Sequence, residues 1–163
     1  MWREDRLMRM TVVGSGDAFG SGGRFQTCIA LASDQASPPR VLLDCGATSL
    51  TALRHQEIET NSVDAVVLSH LHGDNFGGLP FLVLDGQFRR RTRDLIVVGP
   101  PGTQNRLEQT MEALYPGSST VQRRFDVRIV EHLDRQTVEV DGLRVTPFEV
   151  RHASSDREGV AAR

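Results

Sequence analysis

A buried strand that runs directly into two histidines and an aspartate constrains this chain more than any other feature. Residues 65–68 form a continuous apolar run, which is typical of a strand buried on both faces. His70, His72 and Asp74 follow that run at alternate positions. Imidazoles and carboxylates are the ligands that Zn²⁺ takes, and a turn can direct alternate side chains toward one point. The segment therefore predicts a metal site at the end of a strand.

The composition predicts one folded domain. The chain has 163 residues, of which 39% are hydrophobic and 25% are charged. The length and the hydrophobic share are sufficient for a core, and the modest charged share argues against disorder. All 19 basic residues are arginine, so chemistry that needs a lysine, such as a Schiff base or a lysine-dependent phosphate loop, is excluded. The net charge of -2 excludes a nucleic-acid binder that depends on bulk positive charge.

The sequence also predicts a soluble, cytoplasmic protein with no membrane partner. Cys28 and Cys45 are too few for a disulfide framework, which favours a reducing compartment. The first residues lack the apolar core of a signal peptide. No apolar run approaches the length of about 20 residues that a membrane span needs.

The order of predicted elements is that of an α+β domain. Antiparallel strands come first, an alternation of strands and helices follows, and further strands end the chain, which favours layered sheets with helices outside. We predict strands at residues 10–13, 27–31, 40–44, 64–68, 95–98, 127–130, 137–140 and 143–150. We predict helices at residues 47–56 and 79–88, and a third helix that carries Leu107, Met111, Leu114 and Tyr115 and ends before Pro116.

The pattern His70-x-His72-x-Asp74 after an apolar strand resembles the signature of the metallo-β-lactamase superfamily. Four other segments resemble its ribonuclease Z-like branch, namely residues 14–20, 42–46, 77–80 and 97–100. The resemblance extends over about residues 10–152. It implies an αββα fold, a β-sandwich flanked by helices. Residues 1–163 would be one such domain, incomplete at its C-terminus.

The resemblance also implies a zinc site and its ligands. His70, His72 and His152 would hold one zinc ion, and His152 follows a predicted strand as the third histidine of the family does. Asp74 would be the catalytic residue, binding a second metal ion and contacting the nucleophilic water. The other two histidines, His55 and His132, match nothing in the family pattern, and we expect them on the surface.

Two residues are expected to support the metal loop without being its main ligands. Asp44 would hold the loop by hydrogen bonds. Asn75 stands where the family usually has a histidine ligand of the second metal. Because an amide oxygen is a poor zinc ligand, we expect one or two zinc ions per chain, with one favoured.

The function implied by the resemblance is hydrolysis of a phosphodiester or a related ester by zinc-activated water. Alternatives on the same fold are a hydrolase of a cyclic nucleotide, a sulfate ester or a lactone. Another alternative is a catalytically impaired homologue or fragment that acts as a binding protein. The expected partner is a small-molecule or nucleotide ester. RNA is only weakly supported because the net charge of -2 offers no basic surface, and a homo-oligomer is left open.

Overall fold

A six-stranded mixed sheet is the centre of the structure, a computed structural model that describes residues 8–150. The strands lie in the order β1-β2-β3-β4-β5-β6. Their bounds are β1 Arg9–Gly14, β2 Cys28–Ala32, β3 Val41–Leu43, β4 Ala65–Val67, β5 Leu95–Gly99 and β6 Val127–Glu131. A separate two-stranded sheet consists of β7 Val138–Val140 and β8 Leu143–Val145.

The strand directions place one set of ends at a common edge. Strand β2 is antiparallel to both β1 and β3, whereas β3, β4, β5 and β6 are parallel to their neighbours. The carboxyl ends of β1, β3, β4, β5 and β6 therefore meet at the same edge of the sheet, which we call the carboxyl edge. The N-terminal strands are antiparallel, as predicted.

The helices cover one face of this sheet. They are α1 Ser49–His55, α2 Gly73–Phe76, α3 Leu79–Phe88 and α4 Thr103–Leu114. Apolar side chains of α1, α3 and α4 pack with alternate residues of the strands to form the main core. In the part of the chain that the structure describes, no helix is long and apolar enough to cross a membrane.

The opposite face of the sheet is covered by the β7–β8 hairpin. Val140 of the hairpin packs with Val41 and Val98 of the sheet in a second apolar cluster. Asp141, in the hairpin turn, accepts two hydrogen bonds of 2.9 Å from the Arg40 guanidinium, which fixes the turn against the start of β3. The result is a layer of helices, a mixed sheet and a second small sheet, consistent with the predicted fold class.

Two element predictions differ from the structure. The final run, predicted as a strand over residues 143–150, pairs only as far as Val145, because Pro147 has no N–H to donate to a ladder. The short helix α2, Gly73–Phe76, was not predicted. The predicted helix at residues 79–88 is confirmed as α3.

Candidate metal centre

The candidate metal site lies at the carboxyl edge of the sheet. Because β3 and β4 are parallel, Asp44 after β3 and Ser69 after β4 emerge side by side. The chain then passes through His70 and His72 into α2, whose first turn carries Asp74. The extended conformation of His72 ends the loop, and Gly73 starts the helix.

His70, His72 and Asp74 converge as the sequence predicts. Their candidate ligand atoms all lie within 4.8 Å of one another, and each residue is half-buried. The two imidazole rings meet edge to face, with centroids 4.7 Å apart and an interplanar angle of 78°. Two imidazoles and one carboxylate make a donor set that suits Zn²⁺, so these residues fit the metal that the fold implies.

Asp44 supports the loop that carries this cluster. It is only 8% exposed, and its carboxylate accepts hydrogen bonds from the Ser69 N–H at 2.7 Å, the Ser69 hydroxyl at 2.9 Å and the Asn75 amide at 2.8 Å. Its backbone has a φ of 58°, in the left-handed region that few residues other than glycine adopt. Such strain persists only where the surroundings enforce it, which is common at functional sites.

Ser69 transmits this support to His70. Its hydroxyl has one proton, which it donates to Asp44, and it also lies 3.0 Å from Nδ1 of His70. Since the proton is committed to the carboxylate, the hydroxyl oxygen accepts from Nδ1–H. Nε2 is then the unprotonated nitrogen of the neutral ring, the form in which an imidazole binds a metal.

Asn75 also belongs to this support. It is buried, with 7% of its surface exposed, and its side-chain amide donates to Asp44. Its main-chain carbonyl accepts a 2.6 Å hydrogen bond from the N–H of Cys45. Asn75 therefore binds α2 to the end of β3 through both its side chain and its backbone.

The packing between the Asp44 turn and α2 leaves room only for glycine at two positions. A Cβ atom at Gly46 would collide with the Asp74 carbonyl oxygen and the Cβ of Gln26. A Cβ atom at Gly78 would collide with the carbonyl oxygen of Gly46. The two segments are thus in direct backbone contact, which fixes the position of Asp74 relative to Asp44.

The two cysteines do not extend the donor set. Both are buried, and burial raises the pKa of Cys28 to about 11 and that of Cys45 well above its usual range. In residues 8–150, the cluster that could hold a metal ion consists of His70, His72 and Asp74 and contains neither thiol.

The structure places His132 nearer to this site than the sequence predicted. It follows β6 at the carboxyl edge and is half-buried, and backbone groups of Leu68 and of His132 itself lie near its ring. Burial lowers its pKa, although these backbone groups oppose the shift. His132 lines a cavity of about 300 Å³ together with Ser69 and Phe148. In the sequence, the position of His132 after a predicted strand was the one indication of a place near the site. No metal-binding spacing in the sequence connects His132 with His70.

His55 is exposed at the end of α1, as predicted, and its ring packs against Phe25 with centroids 5.4 Å apart. His152, the third predicted zinc ligand, lies outside the described residues.

Three of the four arginines that follow α3 make contacts within the protein, and Arg90 is exposed. Arg89 pairs with Glu59 at 2.8 Å, and Arg93 pairs with Asp64 at 2.9 Å. Arg91 is 4% exposed and donates to the carbonyl oxygens of Arg93 and Asp94.

Comparison with known families and proteins gives concordant matches. The family described as anti-Pycsar protein Apyc1 matches residues 8–162. Ribonuclease Z of Staphylococcus carnosus (strain TM300) is 28% identical over 146 residues, which are 89% of this chain and 46% of that protein. Ribonuclease Z of Bacillus thuringiensis (strain Al Hakam) is 29% identical over 131 residues, 80% of this chain and 41% of that protein.

Solved structures show the same relationship. Human tRNase Z, short form, superposes with a TM-score of 0.63 at 25% identity, over 77% of this chain and 45% of that one. The metallo-β-lactamase fold protein YhfI from Bacillus subtilis superposes with a TM-score of 0.64 at 19% identity, over 85% of this chain and 51% of that one. These matches confirm the metallo-β-lactamase fold and the ribonuclease Z-like relationship. The chain spans about half the length of these relatives.

Proposed function

The chain belongs to the anti-Pycsar protein Apyc1 family, and we propose that it is a metal-dependent hydrolase that cleaves a phosphodiester with zinc-activated water. The observation that carries the proposal is the convergence of His70, His72 and Asp74 within 4.8 Å on a loop held by a buried carboxylate. The ribonuclease Z relatives and the shared fold support a hydrolase of this kind.

The residues have separate roles in this proposal. His70, His72 and His152 would hold one zinc ion, and the Asp74 carboxylate would orient the attacking water and accept its proton. When bound, zinc lowers the pKa of a coordinated water to about 7, so that hydroxide is available near neutral pH. Asp44, through Ser69, keeps the proton of His70 on Nδ1 and Nε2 available for coordination.

We propose one zinc ion rather than two. The Asn75 amide is bonded to Asp44 at 2.8 Å, and an amide is a weak zinc ligand beside imidazoles. His70 and His72 are assigned to the first ion. In the part of the chain that the structure describes, Asp74 is then the single residue of the His70, His72 and Asp74 cluster that is available to a second ion. A lone carboxylate does not hold zinc tightly, because protein sites are almost always four-coordinate.

The substrate class that we propose is a nucleotide ester. The internal ion pairs of Arg89 and Arg93 offset the charge of two of the arginines after α3, which argues against an extended basic surface there for a long RNA. Long RNA and small nucleotide esters share the phosphodiester group, so a simple phosphodiester probe tests the chemistry common to both.

Hydrolysis of bis(4-nitrophenyl) phosphate with added zinc, and with zinc removed by a chelator, tests the proposal. We expect zinc-dependent release of nitrophenolate that is lost in the His70→Ala/His72→Ala double variant. His55→Ala is the matched control, because His55 is an exposed histidine at the end of α1, and it should retain activity. Zinc binding without turnover in the unaltered protein would favour a binding protein over an enzyme. Undiminished activity in the double variant would contradict the proposal.

A further inference from the structure

The loop between β1 and β2, residues 15–27, lies at the same edge of the sheet as the candidate metal centre. Strand β1 is parallel to β3 because each is antiparallel to β2. The chain therefore leaves β1 at the carboxyl edge, beside the point where Asp44 leaves β3. We call residues 15–27 the Phe19 loop after the side chain at its tip.

The Phe19 loop is attached to the metal-binding segment. The N–H of Gly46 donates to the Thr27 carbonyl at 3.1 Å, and the space beside Gly46 is bordered by both the Asp74 carbonyl and the Cβ of Gln26. The Gln26 side chain in turn donates to the carbonyl of Ala18 at 2.9 Å. Phe19 therefore directly follows Ala18, whose carbonyl is held by Gln26, and Gln26 lies beside the main chain of Asp74.

Hydrogen bonds also fix the conformation of the loop tip. The Asp17 carboxylate accepts from the N–H groups of Phe19 and Ser21, both at 3.0 Å. The turn continues through Gly20, whose φ of 66° lies in the left-handed region that glycine adopts at little cost. The backbone at the tip is therefore a closed turn, held by the Asp17 carboxylate.

Phe19 is 94% exposed in this closed turn, the largest exposure among the large apolar side chains of residues 8–150. Single exposed apolar residues are common on protein surfaces, so exposure alone indicates little. Here the exposed ring stands on a fixed turn beside a candidate hydrolytic site.

We propose that Phe19 stacks on the nucleobase of a nucleotide ester whose phosphodiester lies at the His70, His72 and Asp74 cluster. Every base has a flat π-face, and stacking on an aromatic side chain contributes to binding whatever the base sequence. This inference rests on the proposed function and identifies the part of the substrate that is held away from the reacting atoms.

Two esters with the same leaving group test this role. Thymidine 5′-(4-nitrophenyl) phosphate carries a nucleobase, whereas methyl 4-nitrophenyl phosphate does not. Phe19→Ala should raise KM for the thymidine ester about 10-fold with little change in kcat, and should leave the methyl ester unaffected. Phe19→Leu should behave as Phe19→Ala does, because it keeps apolar bulk but lacks a ring, whereas Phe19→Tyr should restore the KM.

Phe88→Ala is the matched control, since Phe88 is another exposed phenylalanine, 79% accessible, at the far end of α3. It should leave both esters unchanged. An equal effect of Phe19→Ala on the two esters, or full retention of KM in Phe19→Leu, would overturn the stacking role.

Binding measured by fluorescence separates this inference from the proposed function. In Phe19→Trp, thymidine 5′-monophosphate should quench the new indole fluorescence, with the unaltered protein, which contains Trp2, as the baseline. Quenching in a protein that hydrolyses neither ester would reject the proposed activity and retain the stacking role. Absence of quenching would reject the stacking role whether or not the esters are cleaved.

Discussion

Replacing Asp44 by asparagine tests whether the buried carboxylate supports the metal loop as its contacts indicate. Asp44 accepts three hydrogen bonds, two from Ser69 and one from Asn75. In Asp44→Asn, one oxygen becomes an NH₂ group. Whichever way the new amide is turned, that NH₂ group faces either the Ser69 N–H or the Asn75 NH₂, which are both donors. Asparagine tolerates the φ of 58° at this position, so the backbone itself is not penalised.

The size of the effect follows from that one conflict. A buried donor left without an acceptor costs about 1–3 kcal/mol, so Asp44→Asn should lower the free energy of unfolding by about 2 kcal/mol. The double variant Asp44→Asn/Asn75→Asp exchanges donor and acceptor between the two positions. It should recover most of the loss, and a double-mutant cycle should show a coupling of about 1.5–2 kcal/mol.

Zinc affinity should respond differently from stability. In Asp44→Asn the new NH₂ group should take the place of Oδ2, because there it has the Ser69 hydroxyl oxygen as an acceptor, whereas in place of Oδ1 it faces only the Ser69 N–H. The Ser69 proton then turns toward Nδ1 of His70. The ring proton moves to Nε2, the nitrogen needed for coordination, and affinity should fall about 10- to 100-fold. Because the exchange of residues 44 and 75 does not restore the original role of Ser69, the double variant should regain stability but not zinc affinity.

Urea unfolding of the zinc-free protein measures the first effect, and competition with a chromophoric chelator measures the second. Asp126→Asn is the matched control, since Asp126 is an exposed aspartate directly before β6, at the end of that strand opposite to His132. An unchanged urea midpoint for Asp44→Asn, with an unchanged slope, would refute the structural role. Equal recovery of stability and zinc affinity in the double variant would refute the role assigned to Ser69.

Two further predictions concern the packing and protonation of the same edge. Gly46→Ala places a methyl group against the Asp74 carbonyl, so it should lower zinc affinity as well as stability in the assays above, whereas Ala at the open position Gly73 should cost little. Unchanged zinc affinity in Gly46→Ala would contradict the close packing. Burial lowers the pKa of His132 below its unfolded value of about 6.5. Between the folded and the unfolded pKa, the unfolded chain therefore binds more protons than the folded chain does. The contribution of the buried neutral ring to stability is therefore complete above about pH 6.5 and is lost as the pH falls. Urea unfolding at a series of pH values should show that the free energy of unfolding declines less steeply toward low pH in His132→Gln than in the unaltered protein. An identical decline in the two proteins would contradict the burial of His132.

Much of the fold could be predicted because local patterns and tertiary structure agree. The apolar run at residues 65–68 and the strand at residues 95–98 are buried in the core, as their composition requires. The strands predicted at residues 137–140 and 143–150 pair as a hairpin through Asp141-Gly142, with both turn residues at positive φ. The grouping of His70, His72 and Asp74 was predictable because it lies within five residues of sequence.

The features that the sequence did not reveal depend on contacts between distant segments. His132 reaches the metal loop only because β6 lies beside β5 and its ring lies near the backbone of Leu68. Arg91, which reads as part of a solvated run, is buried because backbone carbonyls and the ring of Phe125 surround its guanidinium. The bond between Asn75 and Asp44 joins residues that are 31 positions apart. No local pattern encodes such pairs.

The number of zinc ions held by the unaltered protein tests the central claim most directly. The protein would be loaded with excess zinc, freed of weakly bound metal by gel filtration, and analysed for zinc and protein content beside the His70→Ala/His72→Ala variant. We predict one tightly bound zinc ion per chain in the unaltered protein and none in the variant. Two tightly bound ions would contradict the single-ion assignment, and either no zinc in the unaltered protein or the same zinc content in the variant would contradict the metal centre itself.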